Sequence, residues 1–337
     1  TFALGFANYL QAILPWINVK VVALGLLVLC VLFNMVGLKT AAKLQTIMVA
    51  VLMAALCVYI IFGLPRVNFS VFTEPGAIMP NGAISFFTAS ALLYFPMGGA
   101  KFVAELGGEI KDPGKTIPRS MFLSTGIVAV FYALMGVVAA GVLPVEEVAG
   151  KTLVVSAKEI FPTSVYLFFV IGGALFALAT TLNGTLSWIT KGLFVASKEG
   201  WFPESLADTN KHGVPYKLLL IFFVIGAVPI VTGMDVSFIS SLGVGLTVIC
   251  NVLPVSAAYR LKEKKAEAYE NATFKIGNTA LRVITVISVI LLLVTGWLNL
   301  KDLNLVTWIS LAVFAVLCVI YANLREKVVI EKAAGKK

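Results

Sequence analysis

Histidine occurs once in these 337 residues, at His212. Chemistry that needs a histidine pair or relay is excluded. Charge is scarce too. Only 13% of the residues are Asp, Glu, Lys or Arg, against roughly a quarter in a soluble domain. The four cysteines, Cys30, Cys57, Cys250 and Cys318, lie in apolar runs without metal-ligand spacing. They read as small hydrophobes, not as a disulfide framework. No G-x-x-x-x-G-K-[ST] run is present, which argues against an ATP-driven pump. The G-x-G of "SLGVGLT", residues 241–247, falls in an apolar run and is no nucleotide loop. No apolar run carries a carboxylate pair or a nucleophile beside a base, so an intramembrane enzyme is not indicated. The net charge of +9 does not point to nucleic acid, because the basic residues sit in short connections and never alternate with aromatics.

What the chain has is apolar length. It is 59% hydrophobic, with a mean hydropathy of +0.97. Runs of about 18 residues or more recur, each long enough to cross ~30 Å of hydrocarbon. In lipid every backbone polar group needs an internal partner, so such runs read as helices. The expectation is an all-α polytopic membrane protein with about nine complete transmembrane helices. They fall at 19–36, 41–63, 82–106, 120–143, 164–195, 216–233, 237–259, 280–299 and 305–324. Residues 1–14 are apolar but too short to span and lack a basic flank, so they read as the end of a helix rather than a signal peptide.

Lys and Arg set the orientation. With the 37–43 turn in the cytoplasm and sides alternating, only Lys20, Arg66, Lys151, Lys158 and Lys301 of the 26 basic residues fall outside. The reading is a multi-pass protein of the cell membrane with a cytoplasmic C-terminus. The polar loop "RLKEKKAEAYENATFKIGNT", residues 260–279, is then cytoplasmic.

One stretch breaks the apolar pattern from within. "ALLYFPMGGAK", residues 91–101, puts Pro96, Gly98 and Gly99 inside the 82–106 span and Lys101 just beyond. Proline removes a helix hydrogen bond and clashes with the preceding turn. Glycine adds backbone freedom. About a turn should unwind at 96–99. Unwound backbone at membrane depth is tolerated where it is buried in protein or lines a cavity, as at a transporter's solute site. A plain structural kink is the competing reading. Lys101 sits at the start of the second half-helix, where the dipole disfavours a cation. Its compensating partner is Glu105, a solute carboxylate, or, by snorkelling, the interface near Glu109.

The loop that follows reads "GGEIKDPGKTIPRSM", residues 107–121. It resembles the signature of the amino acid/polyamine/organocation (APC) permeases, an acidic residue followed by I-K-N/D-P-x-K-x-I-P-R. Glu109, Ile110, Lys111, Asp112, Pro113, Lys115, Ile117, Pro118 and Arg119 match it. "SKEGWFPESLADTNKHGVPYKLLL", residues 197–220, is similar to that family's connection between its eighth and ninth helices. "NMVGLKTAAKLQ", residues 34–45, is similar to the one between the fourth and fifth.

The resemblance implies a LeuT-like five-plus-five inverted-repeat fold, N-terminally truncated. Residues 1–63 would be the remainder of the first repeat, 82–259 the second repeat, 280–324 two accessory helices and 325–337 a cytoplasmic tail. It implies a permease that moves amino acids by alternating access, with the bilayer as its other partner. By the family's unwound sixth helix, Tyr94 and Phe95 stand at paired aromatic positions, Met97 at a later aromatic and Gly99 at the glycine. With Pro96, Gly98 and Lys101 they would form the substrate site. Lys101 departs from a position that is frequently acidic, which favours neutral or acidic solutes over cationic ones. No cofactor is implied beyond a coupling ion, Na+ or H+. Thr180 and Thr181 resemble the hydroxyl residues near a sodium site, while their ordinary reading is a bond to their own helix. Symport and exchange both stay open. The alternative is a non-transporting sensor or remnant with an incomplete site.

Overall fold

The computed structural model of the chain describes all residues except 75–78, 80, 150, 235, 302, 336 and 337, and only the backbone at 12, 38–41, 92, 95, 236–242, 244–246 and 249. No strand occurs among the described residues. The helices are α1 (Phe2–Ile13), α2 (Val19–Met35), α3 (Leu38–Gly63), α4 (Gly82–Leu92), α5 (Tyr94–Met97), α6 (Pro113–Val142), α7 (Val145–Val148), α8 (Val154–Ile160), α9 (Thr163–Phe168), α10 (Phe176–Glu199), α11 (Tyr216–Thr232), α12 (Val236–Ala257), α13 (Leu261–Lys264), α14 (Ala266–Glu270), α15 (Asn278–Leu300) and α16 (Leu305–Ala334).

Five helical stretches among the described residues are long and apolar enough to cross a membrane: Ala42–Arg66, Pro113–Val142, Thr163–Glu199, Asn278–Leu300 and Leu305–Ala334. Val19–Met35 and Tyr216–Thr232 are shorter, at 17 residues each, or about 26 Å at 1.5 Å per residue. Half of the α12 side chains lie outside the described residues. The expected 82–106 span is continuously α-helical only to Leu92, with one further α-turn at Tyr94–Met97. Exposed faces carry large apolar side chains, among them Phe122, Leu123, Ile127 and Val130 on α6 and Leu317, Val319 and Ile320 on α16. Such faces suit lipid rather than water. The chain is an all-α polytopic membrane protein.

Three boundaries differ from the sequence reading. Helix α6 begins at Pro113, seven residues before the expected 120, because proline suits a first helical turn. The run expected at 164–195 extends over Thr163–Glu199 and holds a π-helical insert, Phe169–Leu175. Helix α16 continues to Ala334, through most of the expected tail at 325–337.

The chain folds as two compact units. The first comprises Thr1–Ala77, Val128–Met234 and Asn323–Lys337. Its interior has two apolar clusters. One joins Ala55 and Tyr59 of α3 with Met135 and Val138 of α6, Ile160 of α8 and Phe169 and Val170 of the π insert. Tyr59 stacks on Phe169 at 4.9 Å and shares a 2.6 Å hydrogen bond with Ser156. Gly172 brings the insert close to α3, since a Cβ there would lie 3.0 Å from Val51 Cγ1. Small residues at such contacts let membrane helices approach. The other cluster joins Ala3 and Ala7 of α1, Leu27 and Cys30 of α2, Leu186 of α10 and Leu219 of α11.

The second unit comprises Ile78–Ile127 and Asp235–Ala322. Helix α15 packs on α12 and α4. Gly296 admits Val248, whose Cγ1 would lie 2.6 Å from an added Cβ. Asn299 Nδ2 donates to the Ala91 carbonyl at 3.2 Å, supplying a partner at the end of α4.

Candidate functional site

The second unit holds the sequence's broken helix. Pro96 sits four residues beyond Leu92. A proline ring clashes with the carbonyl four residues earlier, and α4 ends at that residue. Leu93 forms a turn, with its N–H donating to the Ser90 carbonyl at 3.2 Å. One α-turn follows at Tyr94–Met97. The chain then winds as a 3₁₀-helix over Gly98–Glu109. The disturbance therefore starts earlier than 96–99, and it is a change of winding rather than an open stretch. Runs of 3₁₀-helix longer than three or four residues are uncommon and often mark a hinge or strain. This one has 12 residues.

Tyr94, Met97, Gly98 and Lys101 are half-buried, whereas Pro96 and Gly99 are exposed. The Phe95 side chain lies outside the described residues. A Cβ added to Gly98 or Gly99 would meet no atom of the described residues within 4 Å. Among those residues, neither glycine seats a packed neighbour.

Helix α12 brings a third polar group to Tyr94 and Lys101. Lys101 Nζ donates to Asn251 Oδ1 at 3.0 Å, and Asn251 Nδ2 donates to the Tyr94 hydroxyl at 3.1 Å. The ammonium also lies 5.1 Å from the centre of the Phe102 ring, a cation–π distance. Lys101 is thus held by an amide on another helix, not by Glu105 four residues on. Asn251 was not singled out from the sequence. The one available signal was an amide alone in the apolar run "TVICNVLP", residues 247–254.

Thr180 and Thr181 belong to the first unit. Both hydroxyls donate to the Ala177 carbonyl, at 3.0 and 2.7 Å. Thr180 is buried and Thr181 exposed. Each therefore makes the bond to its own helix named as the ordinary reading, and each keeps oxygen lone pairs. Among the described residues no group of three or more His, Cys, Asp or Glu could hold a metal ion.

Beside Thr180 runs a buried amide network that the sequence did not announce. Asn34 Nδ2 donates to Asn183 Oδ1 at 3.0 Å and to the Cys30 carbonyl at 2.8 Å. Asn183 Nδ2 donates to Gln45 Oε1 at 3.0 Å, and Gln45 Nε2 to the Thr180 carbonyl at 3.1 Å. The Ser187 hydroxyl donates to Asn34 Oδ1 at 2.6 Å. The network joins α2, α3 and α10. Asn34, Ser187, Thr190 and Lys191 line a cavity of about 20 Å³ beside it, together with apolar residues of α10, of α11 and of the connection just before α11. That is room for about one water.

Comparison with known proteins adds what geometry alone does not supply. The family model described as "Amino acid permease" matches residues 1–322. Uncharacterized protein MJ0609 of Methanocaldococcus jannaschii is 27% identical over 60% of this chain and 48% of its own length. The branched-chain amino acid permease BcaP of Bacillus subtilis is 26% identical over 53% of this chain and 38% of its own length. BcaP of Lactococcus lactis is 24% identical over 77% of this chain and 57% of its own length. The chain spans about half the length of the first of these curated relatives. With nearly every residue inside the matched range, the chain belongs to the amino acid permease family.

Proposed function

We propose that the protein is a secondary transporter that moves amino acids across the cell membrane, and not an enzyme. The observation that carries this reading is the family match over residues 1–322. The broken helix supports it, because a change of winding beside polar side chains is how a membrane helix presents groups to a solute. Branched-chain amino acids are the first probes, since two of the relatives are branched-chain permeases.

In this reading the fold is a five-plus-five inverted repeat that works by alternating access. Residues 1–63 belong to the first repeat, 82–259 form the second, 280–324 are accessory helices, and the C-terminus is cytoplasmic. Tyr94, Phe95, Pro96, Met97, Gly98, Gly99 and Lys101 line the substrate site. Coupling is by sodium near Thr180 and Thr181, by protons, or by exchange.

The test is uptake of labelled valine and leucine into proteoliposomes. Saturable uptake above protein-free vesicles is expected, and none would overturn the reading. Replacing external sodium by choline is expected to slow it. Unchanged uptake would remove Thr180 and Thr181 as ion ligands while leaving transport in place.

A further inference from the structure

The Tyr94–Asn251–Lys101 contacts have a direction. An ammonium only donates. The Asn251 amide must therefore turn its oxygen toward Lys101, which assigns the amide without ambiguity between O and N. Its nitrogen then faces Tyr94, and the hydroxyl must accept. A hydroxyl that accepts keeps its own proton to give. Among the described residues nothing takes that proton, and the Asn251 oxygen takes only one of the three Lys101 N–H groups. The chain runs one way, from Lys101 through Asn251 to Tyr94. It presents donors at both ends and carries a net positive charge. Gly98 and Gly99, between Tyr94 and Lys101 in sequence, have space for a Cβ among the described residues.

We propose that this chain recognises a solute carboxylate, with the Tyr94 hydroxyl and the Lys101 ammonium as binding groups and Asn251 as the positioning residue that aims both. A carboxylate is acceptor-only when ionised and matches a donor-only, cationic set. The inference rests on the permease reading for the identity of the solute, an amino acid. Its carboxylate is either the α-carboxylate shared by all amino acids or the side-chain carboxylate of an acidic one.

Asn251→Asp tests the direction itself. A carboxylate at 251 accepts from both neighbours, so the Tyr94 proton turns inward and the positive charge is neutralised. Tyr94→Phe removes the same proton by deleting one oxygen. The measurement is binding to the purified, lipid-reconstituted protein of valine, aspartate, isobutylamine (valine without its carboxylate) and propionate (a carboxylate without an amine). Both variants are expected to weaken amino acid binding about tenfold; neither should weaken isobutylamine binding, and the negative charge added by Asn251→Asp can only favour that ammonium. Equal losses for valine and aspartate identify the α-carboxylate; a loss for aspartate alone identifies the side chain.

Wild-type affinity for valine and aspartate in both variants would overturn the proposal and leave the permease reading intact. A parallel loss of isobutylamine binding would also overturn it, by showing a structural role. If the wild type binds no amino acid, the permease reading fails and propionate decides alone. Propionate bound by the wild type and lost in the variants supports the chain; propionate bound by none overturns it. If Asn251→Asp does not fold, Tyr94→Phe carries the test.

Discussion

Each unit of the molecule holds an asparagine that bonds across helices, and the two asparagines are wired differently. In the first unit Asn183 is fully buried, and its amide is met on both sides, by Asn34 and by Gln45. Asn34 in turn is met by Ser187 and by the Cys30 carbonyl. The circuit closes on protein. In the second unit Asn251 is half-buried, and its circuit ends on donors that no described residue takes. A closed buried network contributes stability and fixes how helices pack. An open one contributes less to the fold and keeps donors for a ligand. In the proposed reading, the same side chain serves structure in one unit and recognition in the other.

The largest effect should come from breaking the closed circuit. Asn183→Leu takes the donor from Gln45 Oε1 and one of two acceptors from Asn34 Nδ2, which keeps the Cys30 carbonyl. An ordinary interhelical hydrogen bond in a membrane is worth ~0.6 kcal/mol, but an orphaned buried group costs ~1–3 kcal/mol. With one such group and one further interhelical bond lost, we expect a loss of about 2 kcal/mol, read as a lower melting temperature in detergent. Tyr94→Phe, at the open end, should change stability by less than ~0.5 kcal/mol. Similar losses from both substitutions would erase the distinction between the two networks.

The sequence disclosed the parts of this comparison unevenly. Apolar runs and charged connections located the helices, because the bilayer sets both their length and their polarity. Pro96, Gly98 and Gly99 marked the broken helix. The position of the break did not follow from them directly, since the proline acts on the carbonyl of Leu92 and not on its own turn. Residues 107–121 read as a loop, yet α6 starts at Pro113, with Asp112 at a positive φ of 50° just before it. Asn251 was illegible because its meaning comes from Lys101 and Tyr94, about 150 residues away in the chain. Asn34 and Gln45 were hidden for the same reason. An amide in an apolar run announces that a partner exists, and only the packing says which.

A second contrast separates glycines that seat neighbours from glycines that leave space. A Cβ at Gly63 would lie 2.3 Å from Val138 Cγ1 and 3.2 Å from Ile160 Cδ1, inside an apolar cluster of the first unit. Gly63→Ala should cost about 2 kcal/mol through overpacking. Gly98→Ala meets no atom of the described residues within 4 Å, so it should leave the melting temperature unchanged or raise it slightly, since alanine is the better helix former. Its cost should appear in solute affinity. A Gly98→Ala protein that melts early would show a packed site and weaken the case for open space there.

The smallest effect comes from a third network, which separates closure from burial. In the loop after α12, Glu270 is paired with Lys275 at 3.3 Å and with Lys262 at 3.4 Å, yet all three side chains are about half exposed. The circuit is closed but wet. The Lys275 and Lys262 ammonium groups hold the Glu270 carboxyl below its ordinary value. A carboxyl lowered on folding stabilises the folded loop above its unfolded pKa, near 4.3, and that contribution is lost as the pH falls through the folded value. Water and salt screen such pairs heavily. Glu270→Gln should therefore leave the melting temperature at pH 7 unmoved. Hydrogen exchange of residues 266–276, corrected for its intrinsic pH dependence, should quicken only below about pH 4, as the carboxyl takes up its proton. High salt at pH 7 should quicken it in the same way. If Glu270→Gln instead destabilises the whole protein at neutral pH, closure without burial suffices to hold the fold, and the buried position of Asn183 is not what sets the two units apart.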